Sequence, residues 1–220
     1  MRCRPSTRLG YRSTRSPEPT ASVKIRASIT CSWPHAMHDA NLAALPRPSS
    51  LPDWLRAELR SDHAGETGAV WLYNGILRWS RNPEVIAFAT THLETERRHL
   101  GHFEAWLSAK DKSVLTPLWR LAGFILGSLA VFGGAHVVYL TIEIVETFVI
   151  QHYQQQIEKL DRLRAHPEVA ETLRQFMNDE AEHCHDAAGR HAIREAFSVH
   201  CWRTIVTIGS SMAVTVAKKL

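Results

Sequence analysis

Two short motifs constrain this chain more than its composition does. Glu96-Arg97-Arg98-His99 and Glu180-Ala181-Glu182-His183 each set a carboxylate and an imidazole three residues apart. On an α-helix that spacing leaves the two side chains roughly 60° apart around the axis, so both can reach one cation. Each pair also falls on an apolar stripe. One stripe holds Val85, His92, Glu96, His99, Phe103 and Trp106; the other, on a helix expected to run from about Pro167 to Phe197, holds Val169, Leu173, Phe176, Glu180, His183 and Ala187. Ionisable groups on a buried stripe are costly unless paired or ligated, so the pattern predicts metal ligands.

Two more segments each add one inward glutamate. Between Pro52 and Leu77, the residues Leu55, Leu59, Val70, Tyr73 and Leu77 share a helical face, and Glu66 lies on it. A later segment ending near Leu160 aligns Tyr139, Ile142, Glu146, Val149, Tyr153 and Ile157. Four carboxylates offset the charge of two ferrous ions, which lets such a cluster sit in an apolar core. Glu66 precedes Glu96 by 30 residues and Glu146 precedes Glu180 by 34, enough for a helix, a turn and a return helix. The 50 residues from Glu96 to Glu146 supply a long crossover. The predicted fold is all-α: a ferritin-like four-helix bundle with an apolar crossover between helices two and three and an additional C-terminal apolar helix.

Rotation about the helix arbitrates between rival ligands. Glu182/His185 overlaps Glu180/His183, but Glu182 lies about 180° from Leu173, which favours Glu180 with His183. Glu146 is central to its stripe and Glu143 lies roughly 60° to one side, which favours Glu146. Asp62, one turn before Glu66, reads equally as a partner for the outer nitrogen of a ligand histidine and as a helix-start acid. Tyr153 reads first as a packed core tyrosine, and second as an aid to proton or electron movement.

Residues 1–36 carry seven Lys or Arg and one acid, Glu18, so the formal net charge of +4 belongs to this stretch and the remainder is net acidic. No basic stripe with interleaved aromatics follows it, which argues against nucleic acid. Cys3, Cys31, Cys184 and Cys201 show no C-x-x-C spacing, which excludes a zinc ribbon or rubredoxin-like site, and Cys184 reads as an inert thiol. Residues 1–45 form an expected disordered extension, with 46–220 the di-iron domain. The extension is either a mitochondrial transit-like peptide or an over-extended start upstream of Met37; its lack of an amphipathic helix favours the second.

Leu121 to Ile142 contains no formally charged residue, but the Gly133-Gly134 pair splits it and His136 interrupts it. The expectation is a segment, 118–142, that lies on or dips into one leaflet rather than crossing. The tail, 198–220, holds a second uncharged run, Ile205 to Ala217, and is expected to act in the same way or as a fifth core helix.

The segments Asp62-His63-Ala64-Gly65-Glu66-Thr67-Gly68-Ala69, Glu96-Arg97-Arg98-His99-Leu100, Glu146 with His152-Tyr153, and Asp179-Glu180-Ala181-Glu182-His183 resemble the demethoxyubiquinone hydroxylase family of ubiquinone biosynthesis. The resemblance covers roughly residues 52 to 220, departing at the added acid Glu143 and at His185-Asp186. It implies a membrane-associated, dioxygen-dependent di-iron monooxygenase acting on a polyprenylated methoxy-benzoquinol, alongside partner proteins of ubiquinone biosynthesis. It also implies Glu66, Glu96, Glu146 and Glu180 as ligands and catalytic residues, with His99 and His183 each capping one iron. NADH is the implied donor, although no Gly-x-Gly-x-x-Gly fingerprint is present. The implied location is the cytoplasmic face of a bacterial inner membrane, or alternatively the matrix side of the mitochondrial inner membrane. A ferritin-like iron-binding or peroxide-scavenging protein is the rival reading, and a non-enzymatic membrane adaptor the third.

Overall fold

The computed structural model describes residues 44–191 and 197–220, so the expected extension lies, but for its last two residues, outside the described residues. Six α-helices and no strand occur among the described residues: α1 (Asp53–Trp79), α2 (Pro83–Trp106), α3 (Thr116–Phe132), α4 (Ala135–Leu163), α5 (Pro167–Gly189) and α6 (Phe197–Ala217). Helices α1 and α2 form one antiparallel pair and α4 and α5 the other, which is the ferritin-like arrangement expected.

Local chemistry sets the boundaries. Asn82 caps α2, its side-chain oxygen accepting from Glu84 N–H at 2.9 Å, and Pro83 occupies the first turn, where its missing N–H has no cost. Gly134 has φ +91°, a conformation that L side chains rarely adopt, and there the charge-free run breaks into α3 and α4. The α4–α5 turn uses left-handed Arg164 and His166 before Pro167. The fourth acidic helix, expected to reach Phe197, stops at Gly189. Glycine is a weak helix former, and Arg190 N–H closes the end on the Ala187 carbonyl. Within these limits α5 is unbroken, so His185-Asp186 causes no change of register.

The crossover is itself a helix, and it docks hard against α1. A Cβ on Gly123 would lie 2.1 Å from Gly68 O, and one on Gly127 2.0 Å from Leu72 O. Only glycine permits that approach of two backbones. The opposite face of α3 is apolar and uncovered: Leu118, Leu121, Ile125, Leu129 and Phe132 are exposed. Of the 118–142 run, Val138 to Ile142 belong instead to the core as the first turns of α4. Helix α6 runs antiparallel to α3, packing on α1 and α4, and it too exposes an apolar row of Ile205, Ile208 and Met212. No helix among the described residues is long and apolar enough to cross a membrane.

Two large apolar clusters make up most of the core, with two smaller ones under α6. One large cluster centres on Tyr73, Ile76, Phe88 and Ile142, the other on Leu55, Phe103, Tyr153 and Leu173. The polar site occupies the layer between these two.

Candidate metal centre

All six residues singled out by spacing meet in that layer, each no more than 4 % exposed. They form two overlapping groups, Glu66, Glu96, His99 and Glu180, and Glu96, Glu146, Glu180 and His183, whose donor atoms lie within 4.8 Å of one another in each group. Glu96 and Glu180 are common to both. Glu180 spans the groups, with Oε1 2.9 Å from His99 Nδ1 and Oε2 3.1 Å from His183 Nδ1. Glu96 Oε1 lies 3.0 Å from His183 Nδ1 but outside hydrogen-bond alignment, and Glu66 Oε2 has no hydrogen-bond partner either.

The rival residues lie outside the cluster. Glu182 and His185 are exposed. Glu143 turns away from the cluster, pairing with His191 Nε2 at 2.9 Å and Arg203 at 3.6 Å. Cys184 is a half-buried thiol beside the Thr147 hydroxyl at 3.4 Å.

The electrostatics are those of a site built around positive charge. Burial pushes Glu66, Glu146 and Glu96 up, and their mutual repulsion with Glu180 adds to it. Burial also opposes the charge on Glu180, yet its hydrogen bonds to His183 and His99 hold it far below the usual carboxylate range. Burial alone would lower both imidazoles. Donating to Asp179 and Glu180 instead lifts His99 to about 10, and donating to Glu180 beside the Glu96 carboxylate lifts His183 to about 11. In the metal-free chain, protonated imidazoles thus compensate the carboxylates. A donor set of hard oxygens and imidazole with no thiolate suits a first-row divalent metal, and the unpartnered Glu66 and Glu96 oxygens fit such a role.

Several supporting residues were not assigned from the sequence. Asp179 Oδ2 lies 3.0 Å from His99 Nε2, the outer nitrogen, so it fixes the ring with Nδ1 facing the glutamates. Asp62, a candidate for that task, is engaged elsewhere, with Gln156 Nε2 at 2.8 Å and His152 Nε2 at 3.1 Å. Tyr73 donates to Glu146 Oε1 at 3.1 Å, and Tyr153 to Glu66 Oε1 at 2.5 Å. Burial and the adjacent carboxylates push both phenols well up, so they remain donors. His92 stacks edge-on against His183 at 4.3 Å while contacting Asp186 Oδ2 at 3.0 Å; burial and His183 hold it down at about 4. No spacing rule pairs residues eighty positions apart on different helices. The available signal was only that Asp179 adjoins Glu180 and that Tyr73 and His92 share the acidic stripes.

A cavity of about 350 Å³ opens beside the cluster. Glu66, Glu96, Glu146 and Glu180 form its polar floor; Trp119, Gly123 and Leu126 of α3 and Val206, Gly209 and Ala213 of α6 form much of its wall. The walls come from the two helices that expose apolar rows.

A bundle of paired antiparallel helices that buries four glutamates and two histidines at one centre is a ferritin-like carboxylate protein. Residues 53–217 match the family described as "Ubiquinone biosynthesis protein COQ7", and the chain belongs to that family. It is 32 % identical over 130 residues to the NADPH-dependent 3-demethoxyubiquinone 3-hydroxylase, mitochondrial, of Dictyostelium discoideum, a match covering 58 % of this chain and 60 % of that protein. It is 30 % identical to the protein of the same name from Mus musculus, over 73 % of this chain and 76 % of that one. The 3-demethoxyubiquinol 3-hydroxylase of Rhodospirillum rubrum is 29 % identical over 98 % of this chain and 99 % of its own length.

Proposed function

We propose that this protein is a dioxygen-dependent di-iron monooxygenase that hydroxylates the ring of a polyprenylated methoxy-benzoquinol, demethoxyubiquinol, in ubiquinone biosynthesis. Glu66, Glu96, His99, Glu146, Glu180 and His183 would hold the two irons. Glu96 and Glu180 belong to both donor groups and would be available to either ion, and His99 and His183 would each serve one. When bound, iron supplies the reduction of dioxygen that the side chains cannot perform.

The chain's own groups do the rest. Tyr73 and Tyr153 hold Glu146 and Glu66 by one oxygen each, leaving the other oxygen to turn toward the centre. Asp179 fixes the tautomer and direction of His99. The apolar wall excludes water from the reacting ring. The observation that carries this reading is the cavity, whose floor is the carboxylate cluster and whose walls are α3 and α6. A storage or peroxide-scavenging protein of the ferritin type needs the ligands but not an apolar chamber beside them.

The exposed rows of α3 and α6 rest on a membrane surface, within segments 118–142 and 198–220, so that a long isoprenoid tail stays in lipid while the ring reaches the floor. The relatives' names include mitochondrial proteins and a bacterial one, so the membrane is that of a quinone-bearing compartment of either kind. The electron donor is a reduced nicotinamide nucleotide; NADH is the expectation from the resemblance, while the names of the relatives from Dictyostelium discoideum and Mus musculus specify NADPH for those proteins.

Purified iron-loaded protein, given demethoxyubiquinol, dioxygen and NADH or NADPH, is expected to yield the hydroxylated ring, and expression in a hydroxylase-deficient strain is expected to restore ubiquinone in a mass-spectrometric quinone profile. Iron uptake without conversion in either assay would leave the storage reading in its place.

A further inference from the structure

The two donor groups are alike in composition. Each has one histidine and one glutamate of its own, His99 with Glu66 and His183 with Glu146, and each shares Glu96 and Glu180. The unshared glutamates are also held alike, each accepting on one oxygen from a buried phenol, Tyr153 on Glu66 and Tyr73 on Glu146. The histidines differ. Both turn Nδ1 to the glutamates. On the outer nitrogen of His99 stands a carboxylate, Asp179 Oδ2 at 3.0 Å from Nε2. Among the described residues, the acids paired with His183 are Glu96 and Glu180, both through Nδ1, and none is paired with its Nε2. What packs against the His183 ring is another imidazole, His92, at 4.3 Å between centroids and 78° between planes. The next carboxylate, Asp186, is one ring removed: it lies 3.0 Å from His92 Nε2 and accepts from Arg190 Nε at 2.7 Å. A carboxylate on the outer N–H of a ligand imidazole fixes the tautomer, aims the inner lone pair and makes it more basic. This chain gives that support to one histidine of the two.

We propose that the two donor groups differ in strength: the group of Glu66 and His99 takes a divalent ion first, and Asp179 is the positioning residue that sets this order. This rests on the reading that the six residues would hold two irons. Glu96 and Glu180 are available to either group, so the first ion draws on both and the second meets carboxylates already engaged. At limiting metal the chain then carries one ion, on the His99 side. The phenol bond is shorter on Glu66, 2.5 Å against 3.1 Å on Glu146, and by drawing charge from that carboxylate it acts in the opposite direction. That is a difference between two bonds of one kind, whereas the outer carboxylate is present on His99 and missing from His183 among the described residues.

The experiment is anaerobic titration of the metal-free full chain with cobalt(II), read by the visible absorption of the bound ion, and with ferrous iron against a competing chelator. The native chain is expected to bind two ions in separate steps. Repulsion between cations weakens the second step at any such pair, so the order is read from variants that each remove a ligand of one group. Glu146→Ala is expected to keep the tight step, and Glu66→Ala to lose it. Asp179→Asn added to Glu146→Ala is expected to weaken the remaining step about 10–100-fold, the scale of a lost outer carboxylate. Added to Glu66→Ala it is expected to change nothing, whereas a merely structural role for Asp179 would lower both alike. A tight step that survives Glu66→Ala but not Glu146→Ala overturns the proposal, as does Asp179→Asn that weakens both backgrounds equally or neither. Should a variant fail to fold, the native chain given half an equivalent of iron-57 is expected to show one ferrous Mössbauer doublet, and two doublets of equal area overturn the proposal. A native chain that binds only one ion overturns the two-iron reading itself. Because no turnover is measured, a fault in quinol binding or electron supply does not enter the result.

Discussion

Helices α2 and α5 turn charged residues inward, and helices α3 and α6 turn apolar residues outward. Glu96, His99, Glu180 and His183 are almost wholly buried, while Leu121, Leu129 and Phe132 on α3 and Ile205 and Met212 on α6 are exposed. Each pair inverts the usual distribution, and each inversion needs something from outside the chain to balance it. A buried carboxylate cluster needs cations, and an exposed apolar row needs an apolar surface. The two requirements meet at one cavity, which α3 and α6 wall and the glutamates floor. On the proposed function, departures from burial rules on adjacent elements serve one device.

The comparison breaks first, if it is wrong, at the buried charges. Glu180 belongs to both donor groups, whereas Glu182 points to solvent. Glu180→Ala is expected to abolish quinol hydroxylation and, with Glu96→Ala and His99→Ala, to lower iron content from two per chain. Glu182→Ala is expected to retain activity and to change stability by no more than about 0.5 kcal/mol. Complementation and metal analysis in one strain background test both substitutions; a reversed outcome would move the ligand pair to Glu182 and His185.

A smaller effect separates ligands from their supports. Asp179→Asn keeps the shape but weakens the hold on His99 Nε2, and the loss of an outer-shell carboxylate is expected to cost about 10–100-fold in iron affinity or activity. Titration with ferrous iron under anaerobic conditions measures it, and an unchanged affinity would mean that His99 is oriented by packing against Phe176 instead.

The exposed rows are tested by charge. Ile125→Glu together with Leu129→Glu is expected to lower binding to phospholipid vesicles about tenfold or more, with iron content intact, since both side chains point away from the centre. Flotation assays read this directly. Native and doubly substituted proteins that float alike would show that α3 does not face lipid.

Least in effect is Gly127→Ala. Its methyl would meet Leu72 O at 2.0 Å and push α3 off α1, with an expected loss of about 1–3 kcal/mol in thermal or denaturant unfolding. Unchanged stability would show that the two backbones are not in contact, and that the apolar row of α3 is not held in place by its glycine face.

Much of this was legible in the chain. The stripes bearing Glu66, Glu96, Glu146 and Glu180 had periods clear enough to predict four helices, and the glycine pair at 133–134 marked a real break. Rotation about single helices also separated Glu180 from Glu182 and Glu146 from Glu143, because each choice depends only on the angle between residues of one helix. The glycines at 123 and 127 were visible but uninterpretable, since their role is set by α1 backbone fifty-five residues away. The end of α5 was misplaced because a helix's last turn depends on local capping that periodicity does not register.

By itself, then, the sequence determined which residues share a helical face, because 3.6-residue geometry is local and obligatory. It thereby determined the all-α class and six residues with the chemistry to hold metal. Only the tertiary structure decided which faces meet. It assigned Asp179 rather than Asp62 to His99, set Tyr73 and Tyr153 on Glu146 and Glu66, and made one cavity of α1, α3, α4 and α6. Those pairings follow from how helices pack in three dimensions, and packing brings together side chains that no spacing along the chain relates.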